Sequence, residues 1–170
     1  MASAPAATGP APLDEQELHA WRGLLRTYAK LTKALDAELE AAHDLPLSSY
    51  EVLMYIADSE GQRMRMHDLA SSILLSRSGL TRLVDRLERD GLLARRSCSS
   101  DARGAFACLT PKGRAKLDAA RATHLAGVRA MFLDHFTPQE QELLGGFWER
   151  LGAGEPGAPG SCCSRREQNR

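Results

Sequence analysis

The side chains of this sequence best suited to chemistry are arginines. Arg77, Arg82 and Arg86 recur with Ser78 and Thr81 at helical spacing, and Arg95, Arg96 and Arg103 follow in a short alternating segment. Guanidinium groups bind phosphates and guanine edges bidentately, while Ser and Thr hydroxyls bond either bases or backbone. The chemistry they offer is recognition of a polyanion. No glycine-rich phosphate loop, nucleophile motif or framed pair of acid and base accompanies them, so the expected protein is not an enzyme and needs no cofactor.

Charge is distributed to match. The chain has 22 basic and 22 acidic side chains, yet residues 61–116 hold 12 basic against 5 acidic, whereas residues 1–60 hold 4 against 10. A basic middle between acidic ends suits a module that displaces counterions from phosphates. The alternative is a solvated face on which Arg82, Arg86 and Arg89 pair with Asp85, Glu88 and Asp90 at helical spacings.

The elements that must hold these residues can be read from capping and periodicity. Ser76 is an N-cap for a helix that buries Leu80, Leu83, Val84 and Leu87 and stops at Gly91. His67 to Ile73 forms a helix before it, with Leu74-Leu75 as the turn, and Arg63-Met64-Arg65 suits one short strand. Leu92–Arg96 and Ala105–Leu109 form a hairpin around Ser97–Gly104; pairing Leu93 with Leu109 puts Cys98 opposite Gly104. Upstream, Ser48 and Glu51 predict a capping box, with Leu47 and Val52 as its hydrophobic staple. A long helix precedes it, opening with Asp14, Glu15 and Glu17 and carrying Leu18, Trp21, Leu25, Tyr28, Leu35 and Leu39 as a three-four seam fit to pack on its own domain or on a second copy of the chain. Thr110-Pro111 and Thr137-Pro138, the latter with Glu140, start two further helices.

The chain is therefore divided into a disordered arm over 1–12, a long helix over 13–46, a basic lobe over 47–109, further helices over 110–151, and a flexible tail over 152–170. No apolar run is long enough to span a membrane, and the start lacks the basic and apolar parts of a signal peptide; a soluble cytoplasmic protein is expected.

Leu80-Thr81-Arg82-Leu83-Val84-Asp85-Arg86-Leu87-Glu88-Arg89-Asp90-Gly91-Leu92, then Asp101-Ala102-Arg103-Gly104, then Leu109-Thr110-Pro111-Lys112-Gly113 resembles the signature of the MarR family of winged-helix transcriptional regulators. The likeness runs roughly from Leu13 to Leu151. It implies a mainly α fold with a small β-wing, a winged helix-turn-helix, and a homodimer formed by the first and last helices. It also implies double-stranded DNA as partner, read as an inverted repeat, usually to repress. Carried onto matching positions, Arg77, Ser78, Thr81 and Arg82 read the major groove, Arg103 reaches the minor groove braced by Asp101, and Arg95 and Arg96 approach phosphates. Arg86 completes the basic face. The family's small aromatic effector would sit in a crevice lined here by His19, Trp21, Arg22, Tyr50 and Met54.

A second reading is redox control through Cys98, which stands near Arg95 and Arg96, or through the Cys162-Cys163 pair in the tail; Cys108 lies too far along the return strand to pair with Cys98. Peroxide-sensing relatives carry a cysteine in the first helix, and this chain has none before Cys98. No metal is expected, because the five histidines form no close ligand spacing; His124 and His135 are placed three turns apart on one helix.

Overall fold

The structure, a computed structural model, describes residues 11–73, 76–98 and 101–152, with side chains for all of these except Arg77, Ser97, Cys98 and residues 101–104. The arm up to residue 10, the turn at Leu74-Leu75 and the tail from residue 153 lie outside the described residues.

Among the described residues six α-helices and three strands follow one another: α1 (Glu15–His43), α2 (Leu47–Asp58), β1 (Arg63–Arg65), α3 (Met66–Ser72), α4 (Arg77–Arg89), β2 (Leu93–Cys98), β3 (Asp101–Leu109), α5 (Pro111–Met131) and α6 (Pro138–Arg150). The strands form one antiparallel sheet in the order β1-β3-β2. The expected mainly α fold with a small β-wing is what the chain adopts.

α2 is the centre of the core. Tyr50, Val52, Leu53 and Ile56 are fully buried among Leu39 of α1, Leu69 of α3, Leu80, Val84 and Leu87 of α4, Leu93 of β2 and Leu117 of α5. Its beginning differs from the expected capping box. The helix starts at Leu47 with Pro46 as N-cap and no side-chain cap bond. The Leu47 N–H instead donates to Asp36 Oδ1 of α1 at 2.8 Å, so a carboxylate eleven residues upstream does the capping.

Other ends follow their local chemistry. Asp14 and Glu17 exchange hydrogen bonds of 2.8 Å in a capping box that opens α1, and Thr137 and Glu140 do the same for α6. α4 closes in a Schellman arrangement, with Leu92 N–H on Leu87 O at 2.8 Å and Gly91 at φ +72°, where a side chain is strained. Thr110 then grips that corner. Its hydroxyl reaches the carbonyls of Gly91 and Leu92 at 2.7 and 3.0 Å and accepts the Gly113 N–H at 2.9 Å, while Lys112 Nζ donates to Asp90 O at 2.7 Å.

α5 packs along α1, where His43 Nε2 and Thr123 Oγ1 are 2.8 Å apart. It ends at Met131, and His135 belongs to a separate 3₁₀ turn, Leu133–His135; the expectation that His124 and His135 share a helix is corrected. His124 lies against the Tyr50 ring, centroids 4.4 Å apart, with its Nδ1 buried and without a hydrogen-bond partner among the described residues. Burial holds its pKa below the ordinary histidine value. The folded chain therefore binds fewer protons here than the unfolded one, and stability is lost as pH falls below about 6.5. Between about pH 7.5 and about pH 5.5 the native chain should lose more stability in urea unfolding than His124→Leu does. Equal losses in the two proteins would exclude His124 as the source.

Two apolar faces remain uncovered in the single chain. Trp21, Leu24, Leu25 and Tyr28 of α1 are exposed, as are Leu143, Phe147 and Leu151 in and after α6, a helix with no buried residue.

Candidate nucleic-acid interface

α4 is held by one face and offers the other. Ser76 caps it by accepting the Gly79 N–H at 3.1 Å, and Leu80, Leu83, Val84 and Leu87 turn inward. Ser78, Thr81, Arg82 and Arg89 are exposed on the opposite side. Two arginines grouped with them by sequence are committed within the chain. Arg86 Nη2 donates to the buried Ser49 Oγ of α2 at 2.8 Å. Arg95, expected at phosphates, is half-buried between Asp85 and Glu88 of α4. Glu88 holds it twice, through the Arg95 backbone N–H and Nη1, both at 2.9 Å. These partly exposed ion pairs add little to stability; their effect is to fix the root of the hairpin against α4.

The hairpin keeps the expected register from Leu93↔Leu109 to Ser97↔Ala105, then shifts, so that Cys98 faces Asp101 rather than Gly104. An irregularity in the ladder at Ser97/Cys98 removes residues 102–104 from the pairing. Across the sheet, Arg65, Phe106 and Arg96 stand in one row. The Arg63 and Arg65 guanidiniums lie 5.4 and 5.2 Å from the Phe106 ring centroid, a cation–π arrangement. Arg63, Arg65 and Arg96 thus share the outer face of the wing. Sequence reasoning assigned a role to Arg96 alone; the alternation of Arg63 and Arg65 about buried Met64 was the available signal.

The side chains of Arg77, Asp101, Arg103 and Cys98, with Cys162 and Cys163, lie outside the described residues. Cys108, half-buried on β3, stands between Arg63 and Ala94 in the sheet. Among the described residues no group of His, Cys, Asp and Glu is arranged to hold a metal ion, and no helix is long and apolar enough to cross a membrane.

The residues anticipated for an effector crevice are not brought together. His19, Trp21 and Arg22 are exposed on the first half of α1, Tyr50 is a core residue and Met54 is half-buried beside the core. The crevice present between α1 and α2, about 350 Å³, is lined instead by Tyr28, Thr32, Lys33, Asp36, Ser48 and Glu51, with Leu47 and Ile73 at its base. Burial raises the Glu51 carboxyl above its ordinary pKa.

Solved structures share this fold. AbsC, a MarR family transcriptional regulator from Streptomyces coelicolor, is 34% identical and superposes with a TM-score of 0.79 over 85% of this chain and 97% of its own. The chain belongs to the MarR family. Its members' family model matches residues 43–104, from the end of α1 into the wing. Sco3205, a second MarR family regulator from Streptomyces coelicolor, solved in complex with DNA, is also 34% identical, with a TM-score of 0.80 over 85% of this chain and 91% of its own. Among characterised sequences, the transcriptional repressor YetL of Bacillus subtilis is 28% identical over 115 residues, 65% of this chain and 68% of YetL. This MarR protein is accordingly a transcriptional regulator, with α3 and α4 as its helix-turn-helix and β2–β3 as its wing.

Proposed function

We propose that this MarR protein binds double-stranded DNA as a homodimer and represses transcription from an inverted repeat. The observation that carries the reading is the division of α4: its apolar face is locked into the core while Ser78, Thr81, Arg82 and Arg89 face solvent beside a basic hairpin fixed to the same helix. Ser78, Thr81 and Arg82, with Arg77, read the major groove; Arg103, braced by Asp101, enters the minor groove; Arg96 meets the backbone. α1, α5 and α6 form the dimer, setting the two recognition helices about one turn of DNA apart. The name of YetL as a repressor supports the sign of regulation. We assign any small aromatic effector to the α1–α2 crevice.

Duplexes selected from a random pool by the purified protein should share an inverted repeat. On such a duplex, Arg82→Ala is expected to weaken binding by about 1–3 kcal/mol and to relax preference at one base position, and Arg103→Ala to weaken it by a comparable or smaller amount. Unchanged gel-shift affinity in a folded, dimeric Arg103→Ala protein would remove the wing from this scheme.

A further inference from the structure

On the side of α4 away from the wing, a cleft of about 330 Å³ opens between α4 and the first turn of α2. Its walls are Ser48, Gly79, Leu83 and three arginines, Arg82, Arg86 and Arg89. Positions 82, 86 and 89 fall on one side of a helix, so the three arginines border the same cleft. Among the described residues no carboxylate lines the cleft; the acidic residues of α4 nearest in sequence, Asp85 and Glu88, are bonded to Arg95 at the wing. Three cations so placed repel one another unless an anion joins them. One is also held in position: the Arg86–Ser49 hydrogen bond spends a single N–H, and a guanidinium has five. Gly79 and the Ser48 hydroxyl add an open approach and a neutral hydrogen-bonding group.

We propose that this cleft seats a phosphodiester of the duplex backbone, on the flank of the recognition helix opposite the wing. The inference rests on the DNA-binding reading above and adds to it a second, sequence-independent grip. Charge complementarity selects the occupant: Arg82 already faces the duplex in that reading, and Arg86 and Arg89 continue from it along one edge of α4, as a backbone strand leaving the groove would. Arg89, unassigned by sequence, becomes a phosphate ligand, and Ser49 a positioning residue that acts through Arg86.

The test is the salt dependence of binding, measured by fluorescence anisotropy with the selected operator and with an unrelated duplex. Arg89→Gln should weaken binding to both by the same factor, about three- to tenfold, lower the slope of log K against log salt by about one, and leave sequence preference unchanged. Ser49→Ala should give a smaller loss of the same kind at unchanged preference. A folded, dimeric Arg89→Gln protein with native affinity and slope would overturn the cleft alone, since the native protein would still bind. A native protein that binds no duplex would overturn both readings. Thermal stabilisation by inorganic phosphate that disappears in Arg89→Gln, without a change in the DNA slope, would assign the cleft to a free anion and equally overturn the proposal.

Discussion

Gly113→Ala is expected to cost about 3 kcal/mol and to lower the melting temperature by about 10 °C. A Cβ at Gly113 would collide with the Leu92 carbonyl oxygen and sit 2.9 Å from its carbon. Both are backbone atoms, so no rotamer change relieves the contact. Retreat is blocked as well, because Leu92 O accepts from the Thr110 N–H at 3.2 Å and from the Thr110 hydroxyl at 3.0 Å. Moving α5 away breaks those bonds, and moving Leu92 breaks the Schellman closure of α4. The substitution thus acts where α4, β2 and α5 meet, and its damage should reach the recognition helix. Differential scanning calorimetry decides the matter; a melting temperature within a degree or two of the native value would show slack in this corner.

Leu25→Glu should produce a monomer of 18.5 kDa by sedimentation and reduce operator affinity by about a hundredfold or more. Leu25 is 48% exposed in the single chain, between Trp21 at 53% and Tyr28 at 52%, on a helix whose far half buries Leu35 and Leu39. Such a patch on a solvent-facing helix is accounted for by a second copy of the same chain, as the dimer reading requires. A carboxylate there loses its water on association without gaining a partner, and the interface opens. Binding then falls because two linked half-site contacts become two separate ones. A Leu25→Glu protein that remains dimeric would place the dimer contact elsewhere than this face of α1.

Features set by neighbours in the chain were legible in the sequence. Ser76, Thr110 and Thr137 cap the helices they were expected to cap, and the buried face of α4 follows from its spacing alone. Features set across the chain were not. Asp36 displaces the Ser48–Glu51 box because its carboxylate is delivered by a different helix. Arg95 looks like any basic strand residue until folding places Asp85 and Glu88 beside it, and Arg86 until Ser49 arrives. Gly113 was visible as part of a motif, but its reason, the Leu92 carbonyl, exists only in three dimensions. The anticipated effector residues lie apart within one chain for the same cause: side-chain type says nothing of which half of a 29-residue helix meets α2.

The anchoring of Arg95 by Asp85 and by both oxygens of Glu88 ties the root of the hairpin to the recognition helix, like a calliper jaw fixed at its beam. A duplex gripped at two adjacent grooves from that fixed root, as proposed above, takes up part of the adjustment by bending or by changing groove width. Flexible pyrimidine–purine steps between the two contacts would then be favoured at positions that no side chain touches, so part of the operator is written in stiffness rather than in hydrogen bonds.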